Sequence, residues 1–140
     1  MKSAIAAAIC ALLLPATAIA DSTASPSAPG AKVFIIEPKD GTTVTSPVTV
    51  KFGIEGMAIA PAGTDQPNSG HHHLIVDAQP GDMSAAIPAD DNHKHFGKGQ
   101  SETTVDLKPG THTLHLVLGD KNHVPHTPPV VSSVITITVK

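Results

Sequence analysis

Nine histidines in 140 residues are the one feature of this sequence that calls for a chemical explanation. Seven of them fall in three short clusters: His71-His72-His73, His93-Lys94-His95 and His123-Val124-Pro125-His126. A neutral imidazole is the commonest metal ligand, and two or three of them close a site for Zn²⁺, Cu²⁺ or Ni²⁺. On a strand, residues two apart share a face. His71 and His73 can therefore chelate one ion together while His72 points the other way. If Leu74 and Val76 face the core, His72 lies on the core side and His71 and His73 face out. His93 and His95 repeat the spacing in what reads as a loop. His123 and His126 sit among Pro125, Pro128 and Pro129, and that stiffness lowers the cost of ordering a site. The candidate metal ligands are His71, His73, His95, His123 and His126. Asp77 and Asp120 are candidate oxygen ligands, or acceptors that fix an imidazole tautomer. His72 and His112 share the parity of the core leucines, and each reads as a partly buried histidine hydrogen-bonded to backbone. His115 reads as a solvated strand residue.

The elements that must position these side chains are strands. Lys32 to Glu37 is the first, and Pro38-Lys39-Asp40-Gly41 is a turn. Val44 follows, and then Val48, Val50, Phe52 and Ile54 alternate with Thr49, Lys51, Gly53 and Glu55, the period of a strand with one wet face. Leu74 to Val76, Thr103 to Leu107, Thr111 to Leu118 and Val130 to Lys140 supply the rest. Thirteen scattered prolines argue against long helices. About seven short strands with turn signals between them predict an antiparallel β-sandwich of immunoglobulin or fibronectin type, with a small β-barrel as the alternative. Two connections, Gly56 to Gly70 and Ala78 to Gln100, are long for such a domain, and long loops are commonly functional.

The front of the chain reads as a cleavable secretory signal. Met1-Lys2 gives a positive start, Ala4 to Leu14 is an apolar run, and Ala18-Ile19-Ala20 places small residues for cleavage before Asp21. The run is shorter than the roughly 20 residues that span a bilayer, and no later stretch is longer, so no membrane anchor is expected. The expected organisation is a signal peptide over residues 1–20, a disordered Ser, Ala and Pro-rich leader over 21–31, and one domain over 32–140. The single cysteine, Cys10, leaves with the signal, so the mature chain carries no disulfide and no thiolate ligand.

Composition excludes several functions. Trp and Tyr are absent and Phe occurs three times, which disfavours sugar and single-strand platforms. No arginine is present and the net charge is −3, which disfavours nucleic acid and phosphate. Three functions stay open. One is a periplasmic or secreted protein that holds a divalent transition ion without catalysis. Another is an exported accessory module, partnering another exported protein, whose histidines form a structural hydrogen-bond network. The third is an enzyme with an open three-histidine zinc site; no carboxylate is placed as a general base beside a histidine pair, so no enzyme activity is expected. No organic cofactor is implied.

Asn68 to Asp77, the stretch His95-Phe96-Gly97-Lys98-Gly99-Gln100, Gly110 to Leu114, and Leu118 to Val130 together resemble the DUF4399 family of exported bacterial proteins. The resemblance runs from about Val33 to Lys140. It implies location and fold more than chemistry, since the family has no established activity. The family pattern takes in His71, His72, His73, His95, His112, His123 and His126. The chain departs from it at His115, where the family usually has Gln, and at Lys98, where it often has Gly.

Overall fold

The computed structural model describes residues 24–140. The expected signal peptide lies outside the described residues. Nine strands and no helix occur among those described. Strands β1 (Lys32–Glu37), β3 (Val48–Glu55) and β7 (Glu102–Val105) form an antiparallel sheet in the order β1-β3-β7. The second sheet holds β2 (Thr43–Val44), β4 (Ala58–Ile59), β5 (Ser69–Val76), β6 (His93–His95), β8 (Gly110–Gly119) and β9 (Ile135–Val139). Its order is β2-β9-β8-β5-β4, with β6 also paired to β5. The two sheets pack as a β-sandwich, and among the described residues no barrel closes.

Alternation drives this packing. Val48, Val50 and Phe52 of β3 face Leu74 and Val76 of β5 and Leu114, Leu116 and Leu118 of β8 in one buried cluster. Each fully buried Val or Leu contributes roughly 1.5–3 kcal/mol, so in a thiol-free domain packing carries the fold. Gly53 is buried beneath the Phe34 ring, which covers the strand where it has no side chain of its own.

The two long connections are not strand-free as expected. Each contains a short strand, and both of these strands line the same edge of β5. Ala58 and Ile59 pair in parallel with Ser69 and Gly70, and His93 to His95 pair antiparallel with Ile75 to His73. Backbone satisfaction explains this, because an eight-residue strand buried along its whole length cannot leave one row of amides and carbonyls unpaired. A second parallel pair joins β2 to β9.

The expected disordered leader is also corrected over its described part. Thr127 N donates to Ser25 O, Ser27 N to Thr127 O, and Ser27 Oγ to Pro128 O, at 2.7 to 3.1 Å. The composition suggested no structure, but these residues find unpaired backbone on the segment after β8. Among the described residues no helix is long and apolar enough to cross a membrane.

Candidate metal centre

β5 is buried from end to end because both of its faces are covered. Its inner face carries His72, whose ring centroid is 5.1 Å from that of Phe52 in the sandwich core. Its outer face carries His71, His73 and Ile75. Register places Gly119, Val117 and His115 of β8 opposite these three, and His95 and His93 of β6 beside His73 and Ile75. The connection before β6 folds back over this face. Ile87 packs with Ile75 and Val117 in a small second cluster, and Ile87 N donates to His123 O at 2.8 Å.

Four imidazoles meet on that outer face. The ring centroids of His71, His73, His95 and His123 are separated pairwise by 4.7 to 6.0 Å. Nε2 of His73 lies 3.0 Å from Nε2 of His71, so one of the two carries a proton that the other accepts. Ligand nitrogens of His71, His95 and His123 all fall within 4.8 Å of one another, a spacing one ion can bridge. His71 and His73 form a buried floor; His123 is half-buried and His95 exposed, and these two form the rim.

Two glycines leave room for the rings. A Cβ on Gly119 would stand 2.7 Å from His73 Nε2 and 3.5 Å from His71 Nε2. A Cβ on Gly97 would run into the His95 ring. His123 takes a left-handed backbone, φ 66°, which few non-glycine residues adopt. The Asp120 carboxylate enforces that turn. Its Oδ1 accepts from Asn122 N at 2.8 Å and Val124 N at 3.0 Å, and its Oδ2 from Ser25 N at 3.1 Å and Ser25 Oγ at 2.9 Å. Burial alone would push that carboxyl up, but these donors more than offset it and hold the group below the usual carboxylate range.

The floor imidazoles are neutral at ordinary pH. Burial first, and then the neighbouring His95 and His123, bring His71 down to about 4. Burial, followed by His71, His95 and His123, brings His73 down to about 3. His95 is also lowered, by burial and then by His123. A cation therefore meets no charged imidazolium on the floor, and the proton held between the two Nε2 atoms has only to pass to an Nδ1 for both to ligate.

The family model described as a domain of unknown function, DUF4399, matches residues 50–140. The chain belongs to the DUF4399 family. No curated protein and no solved structure matches it. The matched span holds all nine histidines of this DUF4399 chain, together with Gly97, Gly119 and Asp120.

The domain brings four of the five candidate ligands together and leaves one apart. His126 is buried with Nδ1 3.3 Å from Leu118 O and Nε2 3.0 Å from Ser69 O. Both ring nitrogens face backbone carbonyls, so His126 ties the end of β8 to the start of β5 and offers no lone pair to the cluster. Gly70 makes space for it: a Cβ there would stand 2.8 Å from His126 Cε1. His71 and His73, expected to face solvent, face away from the sandwich core but are buried, 1% exposed each, under the folded-back connection. His115, expected to be solvated, is buried on the same outer face, opposite Ile75; among the described residues neither its ring nitrogens nor those of His72, expected to bond to backbone but packed in the apolar core, have a partner. His112 does make the expected bonds: Nδ1 lies 2.7 Å from Asp77 Oδ2 and Nε2 2.8 Å from Lys108 O. Asp77 thus serves His112 and not the cluster, while Asp120 serves the His123 loop backbone. Gly119 and Gly97 went unseen as site residues. Their signal lay in the sequence, since each follows or precedes a histidine motif at close range.

Proposed function

We propose that this DUF4399 protein is an exported, non-catalytic metal-binding protein. It holds one divalent transition ion, Cu²⁺, Zn²⁺ or Ni²⁺, on His71, His73, His95 and His123. The convergence of four imidazoles from three separate segments carries this reading. It is favoured over a structural hydrogen-bond network by the partners of the rings. His93, His112 and His126 each bond to carboxylate or carbonyl oxygens. The clustered rings do not; among the described residues their one hydrogen bond is from ring to ring. Neutral imidazoles gathered without acceptors are poor mutual partners and good ligands.

Two observations support binding without catalysis. A catalytic zinc keeps an open position beside three ligands, and here a fourth imidazole, His73, lies beside the group of His71, His95 and His123, its Nε2 3.0 Å from that of His71. The nearest buried carboxylate, Asp120, is saturated by four donors and has no capacity to act as a base. Export is supported by the signal-like start of the sequence.

The test is metal content by mass spectrometry on untagged protein purified from the periplasm, beside a His71→Ala, His73→Ala double variant. About one equivalent of ion, lost in the double variant, is the expected outcome. Protein that is metal-free and takes up no added ion at micromolar concentration would leave the histidines as structural groups in an accessory module.

A further inference from the structure

The six distances among the four rings carry more than proximity. A ligand nitrogen sits about 2.0–2.1 Å from a zinc ion, and the imidazole centroid about 1.1 Å beyond it. Four rings at tetrahedral corners would then have all six centroid separations near about 5.2 Å. Four rings at the corners of a square would show four separations near about 4.5 Å and two diagonals near about 6.4 Å.

The structure gives 4.8 Å for His71–His73, 5.0 Å for His71–His95, 5.0 Å for His71–His123, 5.0 Å for His73–His95 and 4.7 Å for His95–His123. His73–His123 is 6.0 Å. Were the set square, the pair opposite His73–His123 would be the second diagonal. That pair is His71–His95, and its separation is 5.0 Å. One edge is opened and the other five agree with a tetrahedron; His71, His95 and His123 already bring ligand nitrogens within 4.8 Å of one another, and His73 must swing toward His123 to complete the set. The sheet enforces this shape. His71 and His73 rise side by side from one strand, His95 leans in from the neighbouring strand, and His123 comes over the top from a loop, so the four cannot lie in one plane.

We infer that the cluster is a closed tetrahedral four-imidazole site whose cognate ion is Zn²⁺, and that Cu²⁺ and Ni²⁺ enter it only against their tetragonal preference. This rests on the metal-binding reading above and narrows it. Tetrahedral geometry suits an ion with no ligand-field preference, and no sulfur stands in the cluster to favour cuprous copper. Copper's intrinsic affinity for nitrogen exceeds that of zinc at nearly any site, so the deciding readout is geometry.

Co²⁺ is the probe. The full-length protein, expressed and purified as above, stripped of metal and loaded with Co²⁺, is expected to show the intense visible bands of a four-coordinate ion, bleached by one equivalent of Zn²⁺. X-ray absorption of the Zn²⁺-loaded protein is expected to show four nitrogen scatterers at about 2.0–2.1 Å. In His73→Ala the affinity for Co²⁺ falls and the visible bands shift, as water takes the fourth position. X-ray absorption on the unsubstituted protein decides the matter should that variant fail to fold. Weak six-coordinate cobalt bands, or a diamagnetic square-planar Ni²⁺ complex, would overturn the tetrahedral assignment and leave metal binding standing. No uptake of any of Co²⁺, Zn²⁺, Cu²⁺ or Ni²⁺ would remove both.

Discussion

His71 and His126 are each 1% exposed, yet their surroundings give them opposite tasks. His126 is wedged between two carbonyls and acts as a tie; His71 is surrounded by other rings. Replacing each with alanine should therefore separate stability from binding. His126→Ala should retain one equivalent of metal and lose about 1–3 kcal/mol of stability, since it removes the ring N–H that a buried carbonyl accepts and leaves a cavity. His71→Ala should lose the metal. Urea unfolding of the apo proteins and metal analysis read the two effects independently. Acid gives a second prediction at this scale. His71, His72 and His73 are depressed to about 4, about 4 and about 3, burial being the largest cause for each. The unfolded chain, with histidines near 6.5, binds protons that the folded chain refuses. The stability of the apo protein should be complete above pH 6.5 and fall steadily as pH drops toward about 4. Bound metal should delay that loss to lower pH, because protons must then displace the ion.

At the scale of elements, β8 both pairs with β5 and yields to it at Gly119. Gly119→Ala should leave the strand intact and push aside the His73 ring, whose Nε2 lies 2.7 Å from where the new methyl would stand. We expect metal affinity to fall by at least about tenfold, with an overpacking cost of about 1–3 kcal/mol, read by zinc competition titration and urea unfolding. The turn after β5 gives a pH effect of the opposite sign. The hydrogen bond to Asp77, with that from His112 to Lys108 O, raises His112 above its usual value. Its contribution is complete below pH 6.5 and is lost as pH rises through the raised value. His112→Ala should cost about 1 kcal/mol in mild acid and less in base, seen in paired unfolding curves. Strand periodicity made much of this legible. The alternation over Val48 to Phe52 located the core face, and parity correctly put His72 inside. Burial of His71, His73 and His115 was not legible, because it depends on Ile87 folding back onto Ile75, and spacing within one strand says nothing about a distant cover. β6 was hidden by its length of three residues, too short for a period to show. His126 was misjudged because a proline-rich loop predicts order, not which acceptors its side chains will meet.

For the whole molecule, the candidate centre joins three separate stretches of the chain: the central strand β5, the edge strand β6 paired to it, and the loop after β8. An ion bound there should act as a cross-link. At an excess of about a thousandfold over Kd it would add about 4 kcal/mol to stability, visible as a rise in Tm on loading. The amino-terminal segment belongs to the same assembly through Ser25 and Asp120. A chain trimmed to begin after Ser27 should keep its sandwich, as judged by circular dichroism. It should lose metal affinity and show faster hydrogen exchange over residues 120–126, because Asp120 then holds the His123 turn with half its donors gone.

Ser25 and Asp120 stand 95 residues apart in sequence. Their contact closes a loop that takes in much of the domain, so it cannot form until the chain has been made as far as Asp120. His123 lies three residues beyond Asp120, on the same late-arriving stretch. A nascent chain thus carries its floor histidines long before it can present a complete set. On the metal-binding reading proposed above, acquisition of an ion would follow folding, and a chain made only as far as His73 would offer passing ions a two-toothed grip.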